Sequence, residues 1–534
     1  MTTSRSDELF EREVSRREAL TIAGGAVLAG TAFSAGGARA AAAAAQRGGT
    51  FRLGVLGAGA KDIIDGQNAL AGLGDIARLV AGWETLTAFD RQGQIKPQLA
   101  AEVTARNPRE WVVKLRRGVE FHNGKTMTAD DVVYSLRRAT DPKAGRTGGS
   151  ALGSVDRAGI KKLDRYTVSI RLKQPDSTIT AALAQYPCGI VPAGYDSREG
   201  KGASVKQGQI GTNAYMLESF TPGRQSVHTR FRNYWNDAEP GQVDKVVIVD
   251  IDDAAARVNA LLSGQVDAIV DVPLAQVKTV SAAGMKILNS RGGAWSTITM
   301  RIDAPPFDDV RVRQAMRLIV DRPAMLQQAI SGFGYVGNDM YAPLDPCYPK
   351  NVPQRKQDIE RAKALLAAAG KSGLTVDLVT TDGPGTIEMA KVFAEQAKAA
   401  DVTVNVKVLD SSTFFGDQYT KYPFAVDYWN TRGYLQQLGQ GSLPTAPFNE
   451  THWPPAGSKF LTYYRQALAA TDEKKKCAIV RKMYALEFTQ GGYIIPFFRN
   501  LVDAYSPKVG GLKQGVGMLN LDYFGRGFRS VTIA

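Results

Sequence analysis

Residues 428–434 read Tyr-Trp-Asn-Thr-Arg-Gly-Tyr, and they hold the densest set of groups able to grip a small molecule. Tyr428 and Trp429 offer flat apolar area, and Asn430 offers an amide. Arg432 offers a planar fork of donors that pairs with a carboxylate or phosphate through two parallel hydrogen bonds. That chemistry is binding, not bond breaking. Arg432 is expected to hold an anionic group. The alternative is that it pairs with a carboxylate of the protein and helps two parts of the chain close. Trp83, Trp295 and Trp453 are further aromatics that could wall a cleft, each also readable as core. His452, in Asn449-Glu450-Thr451-His452-Trp453, could line the same cleft or occupy an ordinary surface loop. His122 falls in a hairpin and reads as structural. The three histidines are far apart in sequence, and there is no Gly-x-Ser-x-Gly, His-Glu-x-x-His or Gly-Lys-Ser/Thr phosphate loop. No catalytic residue, metal or cofactor is therefore expected, and the chain reads as a non-enzyme.

These side chains need strands and turns to place them. Phe424-Ala425-Val426 is an apolar run leading straight into the Tyr428–Tyr434 segment, so the aromatics and Arg432 should sit at a strand end. Gly292-Gly293-Ala294-Trp295 precedes a crossover into the next segment, where a hinged binder would close over its ligand. Gly492-Tyr493-Ile494-Ile495-Pro496-Phe497-Phe498 is an apolar strand crossing back. Farther upstream, Trp111, Val113 and Leu115 alternate with more polar neighbours as in a half-buried strand. Gly118 and Asn123-Gly124 mark turns, and Thr128 is a helix N-cap with Asp131 three residues on. Gly145 to Gly153 reads as a surface loop. Gly54, Gly57 and Gly59 lack the rest of a dinucleotide fingerprint and read as a loop over a cleft.

At 534 residues the chain is too long for one hydrophobic core, which points to several domains. Ser15-Arg16-Arg17-Glu18, the Gly/Ala-rich stretch from Thr21 to Phe33 and Ala38-Arg39-Ala40 together resemble a twin-arginine export signal over residues 1–45. The protein is therefore expected outside the cytoplasmic membrane, in the periplasm. The formal charge is +14, but no Lys/Arg run is dense enough to indicate nucleic acid. A basic surface favours anionic ligands or plain solubility. Cys188, Cys347 and Cys477 lack metal-type spacing. Three buried thiols are expected, with one disulfide as the alternative.

The run from Leu115 to Leu136 (Leu-Arg-Arg-Gly-Val-Glu-Phe-His-Asn-Gly-Lys-Thr-Met-Thr-Ala-Asp-Asp-Val-Val-Tyr-Ser-Leu) resembles the signature of bacterial extracellular solute-binding proteins of family 5, which serve dipeptide, oligopeptide and nickel ABC importers. Gly211-Thr212-Asn213-Ala214-Tyr215, Phe231-Arg232-Asn233-Tyr234-Trp235 and Pro306-Phe307-Asp308-Asp309 followed by Arg313-Gln314-Ala315 resemble the same family, and the likeness extends over about residues 48–525. It implies an α/β fold of the two-lobed periplasmic-binding-protein kind, with mixed sheets and an additional domain. Lobe I is expected from 48–90, 209–300 and 495–534, the extra domain from 91–208, and lobe II from 301–494. It implies capture of a small solute between hinged lobes and delivery to the membrane subunits of an ABC permease by a monomeric protein. An exported hydrolase or redox enzyme, or a ligand-sensing subunit, is the competing reading. In peptide-binding relatives an Asp soon after the tryptophan holds the peptide's amino group. Arg432 stands in about that place here, and no Asp occurs between Trp429 and Gly441. The resemblance thus implies a solute-binding protein, while this departure favours a carboxylated solute over a peptide's ammonium end.

Overall fold

The structure, a computed structural model, describes residues 47–534 apart from 58, 60, 61, 69–71, 196–208, 384 and 518. The export segment expected over residues 1–45 lies outside the described residues. Strands and helices are numbered here along the chain. The main sheet runs β15-β14-β16-β12-β17-β11-β1-β10-β9-β8. Two long strands hold it together: β12 (Lys286–Met300) and β17 (Tyr493–Tyr505), antiparallel to each other. On one side of this pair lie β11 (Ala268–Ile269), β1 (Thr50–Val55), β10 (Lys245–Asp250), β9 (Gln225–Arg230) and β8 (Tyr215–Thr221). On the other lie β16 (Phe424–Trp429), β14 (Thr375–Thr380) and β15 (Thr403–Val408). Parallel pairs (β1 with β10 and β11, β14 with β15 and β16) and antiparallel pairs occur in both halves, so both are mixed α/β layers.

The ladder between β12 and β17 breaks between Ser290 and Ala294. Arg291-Gly292-Gly293 fill the break, and the two glycines are there for room. A Cβ on Gly292 would lie 2.4 Å from the Arg499 carbonyl oxygen, and one on Gly293 would lie 2.8 Å from Thr431 Cγ2. Backbone packed that closely with an interrupted ladder is a place where two halves can pivot.

In the first half, α1 (Leu73–Gly82) covers one sheet face over Phe51, Leu53, Val246 and Ile248. The other face packs Ile269, Val502 and Ala504 against α2 (Ala254–Leu262) and α3 (Val277–Ala282). In the second half, period-two alternation sends β16 side chains to two different cores. Phe424 and Val426 join Phe307, Met316 and Phe393 beneath α4 (Val310–Ile319), α5 (Arg322–Ile330) and α6 (Thr386–Lys398). Trp429 turns to the opposite face, into an aromatic core under α7 (Tyr434–Gly441) and α8 (Glu473–Gln490). A strand buried on both faces reads as a continuous apolar run, which is how Phe424–Val426 reads.

Strands β4 (Ala100–Asn107), β5 (Glu110–Leu115), β6 (Val155–Asp164) and β7 (Thr167–Leu172) form a separate antiparallel sheet in the order β4-β5-β7-β6, with its own core of Val113, Leu115, Phe121, Val132, Ile160 and Ile170. The cap read from sequence is formed: the Asp131 carboxylate accepts the Thr128 N–H at 2.9 Å, at the start of the helix Ala129–Ala139. Two readings need correction. Thr147–Ala151 is a short helix where a loop is expected, and its glycine lets it dock, because a Cβ on Gly148 would lie 2.2 Å from the Pro187 carbonyl oxygen. Cys347 and Cys477 are not separate thiols but a disulfide tying the 341–348 loop to α8, and only Cys188 is free and buried. The pairing depends on the loop folding back over α8, which no local pattern encodes.

Candidate functional site

The β12–β16 register sets Trp295 directly opposite Trp429. Their rings stack at 6.0 Å, and Trp295 stacks again on Tyr341 at 5.4 Å with Tyr493 edge-on at 5.3 Å. Trp295 is 1 % exposed and Trp429 6 %, so these rings form the backing of the site and present little open surface. Beyond Trp429 the chain leaves the sheet. Asn430 is exposed, and the Thr431 hydroxyl accepts the Gly293 N–H at 3.2 Å, tying this loop to the break in β12. The half-buried Asp345 carboxylate accepts the Tyr434 N–H at 2.8 Å and fixes the start of α7. Burial pushes the Asp345 pKa up, and the backbone N–H groups of Tyr434 and Cys347 pull against that.

Arg432 is held between these anchors. Its guanidinium lies 5.6 Å from the Trp429 ring centroid, a cation–π contact. Burial lowers its pKa, and it feels the Tyr186 phenol of the 91–208 segment. Among the described residues it forms no salt bridge and no hydrogen bond, so the alternative of a protein carboxylate partner finds no support in this geometry. A partly buried guanidinium without a partner is costly unless something supplies the missing acceptors.

The remaining candidates scatter. Tyr428 points to the other face of β16 from Trp429, under the Arg499 guanidinium at 5.9 Å and against Gly383. Trp83 is buried in the first half, where it shares a cavity of about 70 Å³ with Tyr186, the aromatic neighbour of Arg432. His452 is not brought to the group. It pairs with Asp303 at 2.7 Å and with the Thr420 carbonyl at 3.1 Å. Met300 is opposite Phe424, so that corner lies past the far end of β16, about 17 Å or more from Trp429 at ~3.3 Å per residue. Trp453 is core, packed edge-on to Phe460. His122 is buried between the Asn213 carbonyl and the Gly211 N–H, and desolvation lowers its pKa to about 4.

Arg499 is the residue that reading the sequence missed. It ends the apolar run Tyr493–Phe498 on β17 beside the ladder break, and a lone charge closing such a run at a crossover is the signal that marks it.

The sequence profile described as "Bacterial extracellular solute-binding proteins, family 5 Middle" matches residues 94–440. The chain belongs to this family. Heme-binding protein A of Haemophilus influenzae is 28 % identical over 310 residues, covering 53 % of this chain and 56 % of that protein, so the match spans about half of that relative's length. Glutathione-binding protein GsiB of Escherichia coli (strain K12) is 22 % identical over 444 residues, covering 80 % of this chain and 85 % of that protein. Among solved structures, the substrate-binding protein CtaP of Listeria monocytogenes superposes with a TM-score of 0.79 at 20 % identity, covering 91 % of this chain and 100 % of that one. The periplasmic murein tripeptide binding protein MppA, in an unliganded open form, gives 0.77 at 20 % identity, covering 91 % and 97 %. The fold is thus the two-lobed one of family 5 binding proteins. Family and fold are those of extracellular binding components of transporters.

Proposed function

We propose that this chain is the solute-capturing component of an ABC importer and that its solute carries an anionic group held by Arg432. Residues 48–90, 209–300 and 495–534 form lobe I, 91–208 the extra domain and 301–494 lobe II, with the pivot at the β12–β17 break. The protein is exported as a monomer, closes over the solute, performs no chemistry on it and hands it to the permease. The observation that carries this reading is the partly buried Arg432 guanidinium, which has no acceptor among the described residues. A peptide's ammonium end would meet a positive charge there, so a carboxylated solute is favoured. Relatives named for haem, glutathione, a murein tripeptide and agropinic acid show how widely ligands vary on this fold. Native mass spectrometry of the protein as isolated tests the proposal. One small acidic molecule per chain, released on unfolding, is the expected result. A bound cofactor with no acidic small molecule would favour the enzyme reading.

A further inference from the structure

We propose that a second ligand subsite lies beside the pivot, in a chamber of about 470 Å³ where Arg499 receives the carboxylate of an apolar monocarboxylic acid. Both lobes build it. Asp271 and Leu274 come from the loop after β11, Ile330 and Phe333 from the end of α5 and just beyond, Glu388 from the first turn of α6, and Arg499 from β17. Its size falls within the range of small-molecule sites. It lies on the opposite face of β16 from the Trp429 wall, because Tyr428, not Trp429, is the ring beneath Arg499.

Arg499, on β17, differs from Arg313, Arg317 and Arg322 of lobe II. Arg313 and Arg317 donate to backbone carbonyls, and Arg322 donates to Asp339 at 2.7 Å. The Arg499 Nε is buried with no hydrogen-bond partner, and the side chain forms no salt bridge among the described residues. Asp271 is near enough to be felt electrostatically, but its carboxylate accepts the Asn520 amide at 2.9 Å and its N–H donates to buried Asp503 at 3.2 Å. Asp271 is thus held in another network. A bound carboxylate would complete the guanidinium fork in the least polar way available. Phosphate fits less well, since a second negative charge would face Asp271 and Glu388. Leu274, Ile330 and Phe333 supply the surface for a hydrocarbon arm.

This rests on the reading that solutes enter the space between the lobes, but not on Arg432. The test uses the full exported chain, unfolded and refolded to strip bound solute, with isocaproate as the probe and isocaproamide as its uncharged counterpart, followed by saturation-transfer NMR and calorimetry. Isocaproate is expected to bind saturably and at least about tenfold more weakly to Arg499→Gln, while the amide does not bind. Glu388→Lys, on an exposed position, should bind isocaproate more tightly, which keeps the test open if Arg499→Gln folds poorly. Unchanged binding in Arg499→Gln, equal binding of the amide, inorganic phosphate competing as well as isocaproate, or no saturable binding would overturn the subsite. Binding lost in Arg432→Gln but kept in Arg499→Gln would also overturn it, while leaving the role of Arg432 intact.

Discussion

Replacing Arg432 with Gln separates ligand holding from fold holding. If the guanidinium were half of a protein ion pair, its loss would strand a carboxylate and cost about 3–5 kcal/mol of stability. No such carboxylate accompanies it among the described residues, and the cation–π contact over Trp429 is its one close interaction of that kind. That contact is worth ~0.5–2 kcal/mol, and removing the desolvated charge recovers part of it, so a stability change within about 1 kcal/mol is expected. Affinity should behave differently. Loss of the charged partner of a bound carboxylate costs about 2–5 kcal/mol, or ~30-fold at the low end. Calorimetric titration with the solute identified from the isolated protein gives the first number, and urea denaturation of solute-free protein gives the second. Affinity within twofold of wild type would show that Arg432 does not hold the solute. A stability loss above about 3 kcal/mol would reveal a structural partner instead.

Three further outcomes can be measured, two set by the structure and one by the sequence of the export segment. Cys347→Ser with Cys477→Ser opens a loop of 130 residues, and denaturation should show a loss of about 3–5 kcal/mol, whereas Cys188→Ser should leave the disulfide and its contribution in place. Glu487 accepts the Tyr341 and Tyr434 hydroxyls at 2.6 Å each, and burial raises its pKa to about 7. A raised carboxyl pKa favours folding at low pH and loses that contribution as pH rises toward the folded value. The stability of wild type relative to Glu487→Gln should therefore fall by roughly 3 kcal/mol between pH 4.5 and pH 8, read from denaturation at each pH, and a pH-independent difference would show that Glu487 is not held protonated. Changing Arg16 and Arg17 to Lys should leave the precursor in the cytoplasm, and fractionation showing unimpaired export would rule out a twin-arginine signal.

Much of the fold was legible because its signals are local. Thr128 and Asp131 sit three residues apart, and the cap forms where that spacing places it. The paired glycines at 292–293 and the apolar run at 493–498 mark the break in the β12–β17 ladder and the strand beside it, because close backbone approach and a strand buried on both faces each leave a mark in the chain. The site was less legible because it depends on which faces meet. Trp295 and Trp429 read as cleft aromatics, yet their register stacks them into a core. His452 shares a sequence neighbourhood with polar and aromatic residues but belongs to a corner beyond the opposite end of β16. Arg499 carries a charge part-way along β17, where the apolar run stops, and only the tertiary fold shows that its Nε is buried without a hydrogen-bond partner. The 347–477 pairing needs a return over 130 residues that three scattered cysteines do not specify.

The pivoting of two halves about the β12–β17 break is most directly measured by small-angle X-ray scattering of the solute-stripped and solute-loaded protein. Loading should give a smaller radius of gyration, reversed on stripping and abolished by Arg432→Gln at the same solute concentration. Identical scattering curves with and without saturating solute would contradict the pivoting.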